Sequence, residues 1–183
     1  MPIFFILLMG LIEFALAFNA TLSINTASQD GALVASEAGN ESDADCLVLH
    51  EIEGDVGPPA DRNAITEVQV QWTSASGTTI LGADRFTRGG SISCTPLVGA
   101  AFTVPYTQVQ STYLPSQRCS AIAGCSNLTP THPGVDTIAV QVKYQYSWHT
   151  PLGSLMTAFL HSPAQSAGYN FSKRNIFRLE PST

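Results

Sequence analysis

Residues 2–18 read PIFFILLMGLIEFALAF, seventeen positions in which Glu13 is the one ionisable side chain. As a helix this run would measure about 26 Å at 1.5 Å per residue, close to the hydrocarbon thickness of about 30 Å. Two readings compete. Ala15-Leu16-Ala17 has the small-residue character of a signal-peptide cleavage site. A cleaved signal, however, calls for a positive amino-terminal region, and no Lys or Arg occurs before Arg62. A membrane anchor over residues 2–18 is therefore the expectation. A carboxylate in hydrocarbon costs a few kcal/mol unless it is protonated, paired or near the interface. Glu13 is thus expected either at the outer interface or against a polar group on a neighbouring subunit's helix.

Beyond Phe18 the apolar content falls, but a helical period persists. Ala20, Ile24, Ala27, Gly31, Val34 and Ala38 recur at steps of four and three, with Ser, Thr, Asn, Gln and Asp between them. A stripe of small side chains allows close packing on a partner helix or on the chain's own globular part. Gly39-Asn40 supplies a helix stop. A flexible polar stalk is the competing reading. The expected organisation is a transmembrane helix over 1–18, a helical extension over 19–39 and an exported α+β domain over 40–183.

The whole chain of 183 residues is only 12% charged, against about 25% in ordinary soluble domains. Eight Lys and Arg against fourteen Asp and Glu give a net charge of −6. That balance argues against nucleic acid as a partner and against a polybasic lipid patch. Residues 1–61 hold ten of the acids and none of the bases. The acids after the apolar run fit the exported side of a membrane.

In the exported part, residues 46–52 suggest a short helix capped by Ser42 or Asp43. GDVGPPADRN at 54–63 is a turn-rich linker. Val68, Val70 and Trp72 alternate with Glu67, Gln69 and Gln71, the pattern of a half-buried strand. Residues 74–77 then form a hairpin turn, with 78–81 returning. Residues 137–148 carry the strongest alternation in the chain, Ile138, Val140, Val142, Tyr144, Tyr146 and Trp148 against polar partners. Residues 152–160 suggest a short helix or packed loop, and 175–180 a last short strand. Residues 94–133, rich in Pro, Ser, Thr and Gly, read as loop-rich insertion.

Cys46, Cys94, Cys119 and Cys125 are an even set, which in an exported domain implies two disulfides with three possible connectivities. Cys119 and Cys125 enclose a short loop and are the natural pair, leaving Cys46 with Cys94. A metal site from Cys46, His50, Cys119 and Cys125 is the weaker alternative, because zinc sites draw on tighter pairs. No G-x-S-x-G elbow, phosphate-cradling glycine loop or H-E-x-x-H occurs. Gly124-Cys125-Ser126 leaves a thiol enzyme as a remote third reading. No cofactor is expected.

Taken in order, these pieces resemble a TadE-like minor pseudopilin of the tight-adherence (Flp) pilus system. The likeness rests on the anchor run with Ile12-Glu13-Phe14, on Ala44-Asp45-Cys46-Leu47, and on Tyr113-Leu114-Pro115-Ser116-Gln117-Arg118 as an aromatic-x-Pro-x-x-Arg element. The strand through Trp148, followed by Thr150-Pro151-Leu152 and Arg178-Leu179-Glu180-Pro181, completes it. The resemblance implies a non-enzymatic, single-pass membrane protein with its carboxy-terminal domain outside the cytoplasm. Its implied partners are other pilin or pseudopilin subunits, the pilus assembly machinery and, through residues 2–18, the lipid bilayer. Family members usually carry a basic leader and a peptidase site upstream of the proline that matches Pro2, and the quoted sequence shows neither, so the expectation is either a true amino terminus further upstream or an unprocessed anchored member, and Glu13 is not equated with the processing-site glutamate. A secreted disulfide-containing adhesin or ligand-binding domain, released after Ala17, is the alternative.

Overall fold

The computed structural model describes residues 2–97, 99–120, 134–151 and 168–179. Helix α1 runs unbroken over Pro2–Ala38, and helix α2 over Ala44–Asp55. Five strands follow: β1 (Ile65–Thr73), β2 (Ile80–Cys94), β3 (Phe102–Ser111), β4 (Thr137–Tyr146) and β5 (Tyr169–Arg178). They form one sheet in the order β3-β2-β1-β4-β5, and every neighbouring pair is antiparallel. The fold is α+β, as the residue patterns imply.

Both helices lie on one face of the sheet. α1 crosses β4 and β5, while α2 lies beside α1 and reaches toward β2 and β3. The alternation of β1 and β4 puts Val68, Val70, Ile138, Val140 and Val142 on that face, where they meet Ala20, Ile24, Ala27, Ala32 and Ala35 of α1 and Val48, Leu49 and Ile52 of α2 in one core. Small residues let the backbones approach. A Cβ added to Gly31 would sit 3.0 Å from Ile52 and 3.6 Å from Val140. The buried stripe follows the sequence period through Gly31, then drifts to Ala32 and Ala35, leaving Val34 and Ala38 only half-buried. Drift is what a 3.6-residue helix does against a fixed surface. Two polar side chains join the seam. Ser28 Oγ donates to the Val140 carbonyl at 2.8 Å, and Asn175 Nδ2 donates to the Asn25 carbonyl at 3.2 Å. Gly39, at φ +56°, turns the chain out of α1.

The strands depart from the sequence pattern in four places. β2 continues to Cys94, and its register shifts between Arg88 and Ile92, where a side chain on Gly90 would collide with the Tyr106 backbone. β3 lies inside the stretch expected to be loop. Its inward positions Val104 and Tyr106 alternate correctly, but Pro105 and the hydroxyl-rich surroundings disguise them. β5 begins at Tyr169, not 175, because Asn170 and Ser172 separate its aromatic residues. Finally, the face of β1 away from the helices is not open to water: Glu67, Gln69 and Gln71 are 8, 9 and 0% exposed. Gln71 Nε2 donates to Gln69 Oε1 at 2.6 Å and to Gln141 Oε1 at 2.9 Å, and Gln69 bonds Glu67 in turn. The expected segment at 152–160 lies outside the described residues.

Candidate functional site

Helix α1 and strand β4 run antiparallel. Gly31 and Ser28 face Val140, while Glu13, about four turns earlier, reaches the far end of the strand. Glu13 is 2% exposed, and its partners come from its own chain. Tyr146 Oη donates to Glu13 Oε1 at 2.5 Å, and the backbone N–H of Thr150 donates to Oε2 at 2.8 Å. The His149 N–H lies 3.2 Å from both oxygens. The His149 ring is 3.2 Å from the Tyr146 hydroxyl and 4.0 Å from Glu13 Oε1. Burial and the adjoining carboxylate both push the Tyr146 phenol pKa upward, so it stays a donor. This clamp also explains where β4 stops. The N–H groups of His149 and Thr150 are turned onto Glu13, so the ladder ends at Tyr146 although the alternation continues to Trp148.

The carboxylate is held by the end of the chain's own sheet, a partner that neither expected setting of Glu13 named. The contact spans more than 130 positions of sequence, and nothing local marks it. Glu13→Ala would leave two backbone N–H groups and a phenol without their acceptor, a loss of about 2–4 kcal/mol. The expected result is a red shift of Trp148 emission and new proteolytic cleavage around residue 149 in the detergent-solubilised chain, while the disulfide stays intact. Unchanged emission and cleavage would remove the clamp from the account.

A second buried cluster ties α2 to the sheet. Arg118, with a fully buried side chain, bonds Asp45 of α2 through Nη2 and lies 3.8 Å from Asp84 Oδ2 of β2. Its guanidinium sits 4.9 Å over the Tyr113 ring. Asp84 Oδ1 accepts from the Tyr113 N–H at 2.9 Å, and the Tyr113 hydroxyl donates to Asp136 at 2.9 Å. Asp45 and Arg118 therefore meet, although each was singled out in a separate motif. One signal could have paired them: opposite charges each stand directly before a cysteine, Asp45-Cys46 and Arg118-Cys119.

Cys46 and Cys94 form a disulfide with Cα atoms 5.9 Å apart. Cys119 is also disulfide-bonded, and Cys125 lies outside the described residues. These bonds remove Cys46 and Cys119 from the metal alternative. His50 instead packs its ring on Phe102 at 4.4 Å. Among the described residues no group of three or more His, Cys, Asp or Glu could hold a metal.

Two carboxylates give stability opposite pH slopes. Burial alone would raise Glu67, but hydrogen bonds from Arg85, Gln69 and Lys143 hold it down to about 2. Its contribution is complete above the ordinary 4.5 and is lost as pH falls toward 2. Burial drives Asp45 up to about 6 in spite of Arg118, with Asp84 adding to the rise. A raised folded value means that stability is greatest with Asp45 protonated, below 3.8, and is lost as pH climbs through 6. Asp55, raised by burial and by Glu51 and Asp30, acts in the same direction. Urea unfolding should therefore show a maximum near pH 4–5, with about 1–3 kcal/mol lost by pH 7. A monotonic rise from pH 4 to 7 would contradict the Asp45 assignment.

Residues 1–33 match the family model described as TadE-like protein. This is the part of the chain that holds the apolar run, Glu13 and most of the packed stripe. Comparison with curated proteins and with solved structures finds no match.

Proposed function

We propose that this chain is a membrane-anchored, pseudopilin-like component of a Tad/Flp-type surface pilus, acting without enzymatic chemistry in assembly or anchoring of the filament. The observation that carries the reading is the coincidence of the TadE-like match with a helix long and apolar enough to cross a membrane, whose packed half forms the spine of the sheet domain. Residues 3–8 are all exposed. Their only compatible surroundings are lipid or other apolar helices. The rest of α1 is fixed by Ser28, Asn25 and Glu13 onto the sheet. A force or displacement applied to the anchor is thus transmitted to the domain through one continuous helix.

On this reading the sheet lies outside the cytoplasm, where disulfides persist. The partners are pilin or pseudopilin helices in the bilayer and assembly proteins that meet the exported face. In-frame deletion of residues 2–18 should release the protein from the membrane fraction and abolish surface piliation while leaving major-pilin synthesis unchanged. Normal piliation in the deletion strain, together with a soluble exported species of the undeleted protein that begins at Phe18, would overturn the proposal in favour of the secreted adhesin or ligand-binding domain.

A further inference from the structure

The apolar surface of α1 ends at different heights on its two sides. Toward the sheet it stops at Glu13, clamped by Tyr146, His149 and Thr150. On the opposite side Leu7, Leu11, Phe14, Phe18 and Leu22 follow at steps of four, three, four and four. At about 100° per residue these positions fall within one narrow stripe. They are 63, 68, 70, 54 and 48% exposed, and the Phe14 and Phe18 rings stack at 6.2 Å. Past Leu22 the same side turns polar at the exposed Thr26 and Gln29, and Leu33 beyond them is an isolated apolar side chain separated from the stripe by these two. The two boundaries differ by nine residues, roughly 13 Å along the axis.

We infer that α1 leaves the bilayer obliquely, with Phe14, Phe18 and Leu22 lying against lipid acyl chains while the membrane-proximal end of the sheet rests beside the headgroups on the other side of the helix. Offset against a helix diameter of about 10–12 Å, the stagger corresponds to an inclination well beyond the average tilt of about 20°. Lipid fits this stripe better than a second copy of the helix. Helix pairs in membranes use small residues to approach closely. Here the small residues Ala20, Ala27, Gly31, Ala32 and Ala35 are all turned inward to the chain's own core. The exposed stripe carries only large side chains, and it continues without a break the apolar surface of residues 3–12.

This inference rests on the membrane-anchor reading, and its test separates the two. Leu7→Trp, Phe18→Trp and Gln29→Trp variants of the full chain would be reconstituted in phosphatidylcholine vesicles with and without bromine on the acyl chains. The quenching in excess of that shown by the unsubstituted protein is then read. The expected result is an equal loss of the added emission at positions 7 and 18 and no loss at 29. Quenching at 7 alone, with position 18 as protected as 29, would overturn the oblique exit and leave the anchor standing. No quenching at any of the three would overturn the anchor itself.

Discussion

Arg118→Met should destabilise the detergent-solubilised chain by about 3–5 kcal/mol at pH 7, because it leaves two buried carboxylates without their cation. Asp84 is fully buried and Asp45 is 7% exposed, so water cannot replace the guanidinium. Arg118 also anchors the Tyr113 ring it lies over and bonds the Tyr113 carbonyl at 3.4 Å. In a domain of this size the loss corresponds to a fall in Tm of roughly 10 °C. The deficit should depend on pH. Asp45 titrates at about 6 even with Arg118 in place. Without it the folded value rises further, so the folded protein takes up a proton and recovers part of the loss on acidification. The gap between variant and parent should accordingly be smaller at pH 5 than at pH 8. Asp45→Asn in the Arg118→Met background removes one of the stranded charges and should restore part of the stability. A loss under about 1 kcal/mol, or no rescue by Asp45→Asn, would mean that the cluster is hydrated rather than buried.

The class of the fold was legible in the sequence because it depends on local periods. The 3.6-residue stripe through Gly31 and the alternation from 137 to 146 both survive in the structure, the latter as β4. What escaped depends on contacts between distant segments. β3 could not be separated from loop because its inward residues Val104 and Tyr106 flank a proline, and a period of two over so few positions is weak. The end of β4 could not be placed because its terminator, Glu13, lies 133 residues away from Tyr146. Trp148 continues the alternation, yet its neighbours bond a carboxylate from α1. The polar side of β1 looked like a solvated face, since Glu67, Gln69 and Gln71 give no sign in sequence that they bond one another and Gln141. For the candidate site, residue types were readable and partners were not. Glu13 stood out as a lone charge in an apolar run, but the group that neutralises its isolation is a strand end.

Removing the Cys46–Cys94 disulfide by paired Ala substitution should cost about 4 kcal/mol, the loop-closure value for a crosslink spanning 48 residues. The crosslink joins the first turn of α2 to the last residue of β2. Two further ties converge on the same turn. Asp43, positioned to cap α2, makes no cap bond and accepts instead from the Thr95 N–H at 3.2 Å. Asp45 is held by Arg118. Positions 43, 45 and 46 thus fix where α2 meets the sheet. That crowding makes the losses interdependent. Once the disulfide is gone, the first turn of α2 can lift, Asp45 regains water, and the buried-charge cost of Arg118→Met shrinks. Combining Arg118→Met with the paired Ala substitution should then cost less than the sum of the two separate losses, with a coupling of about 1–2 kcal/mol in a double-mutant cycle. Strict additivity would show that α2 stays seated without the crosslink, held by the packing of Val48, Leu49 and Ile52 against α1 and the sheet. Since α1 is the proposed anchor and α2 packs along it, the same cycle measures how firmly the sheet is joined to that helix.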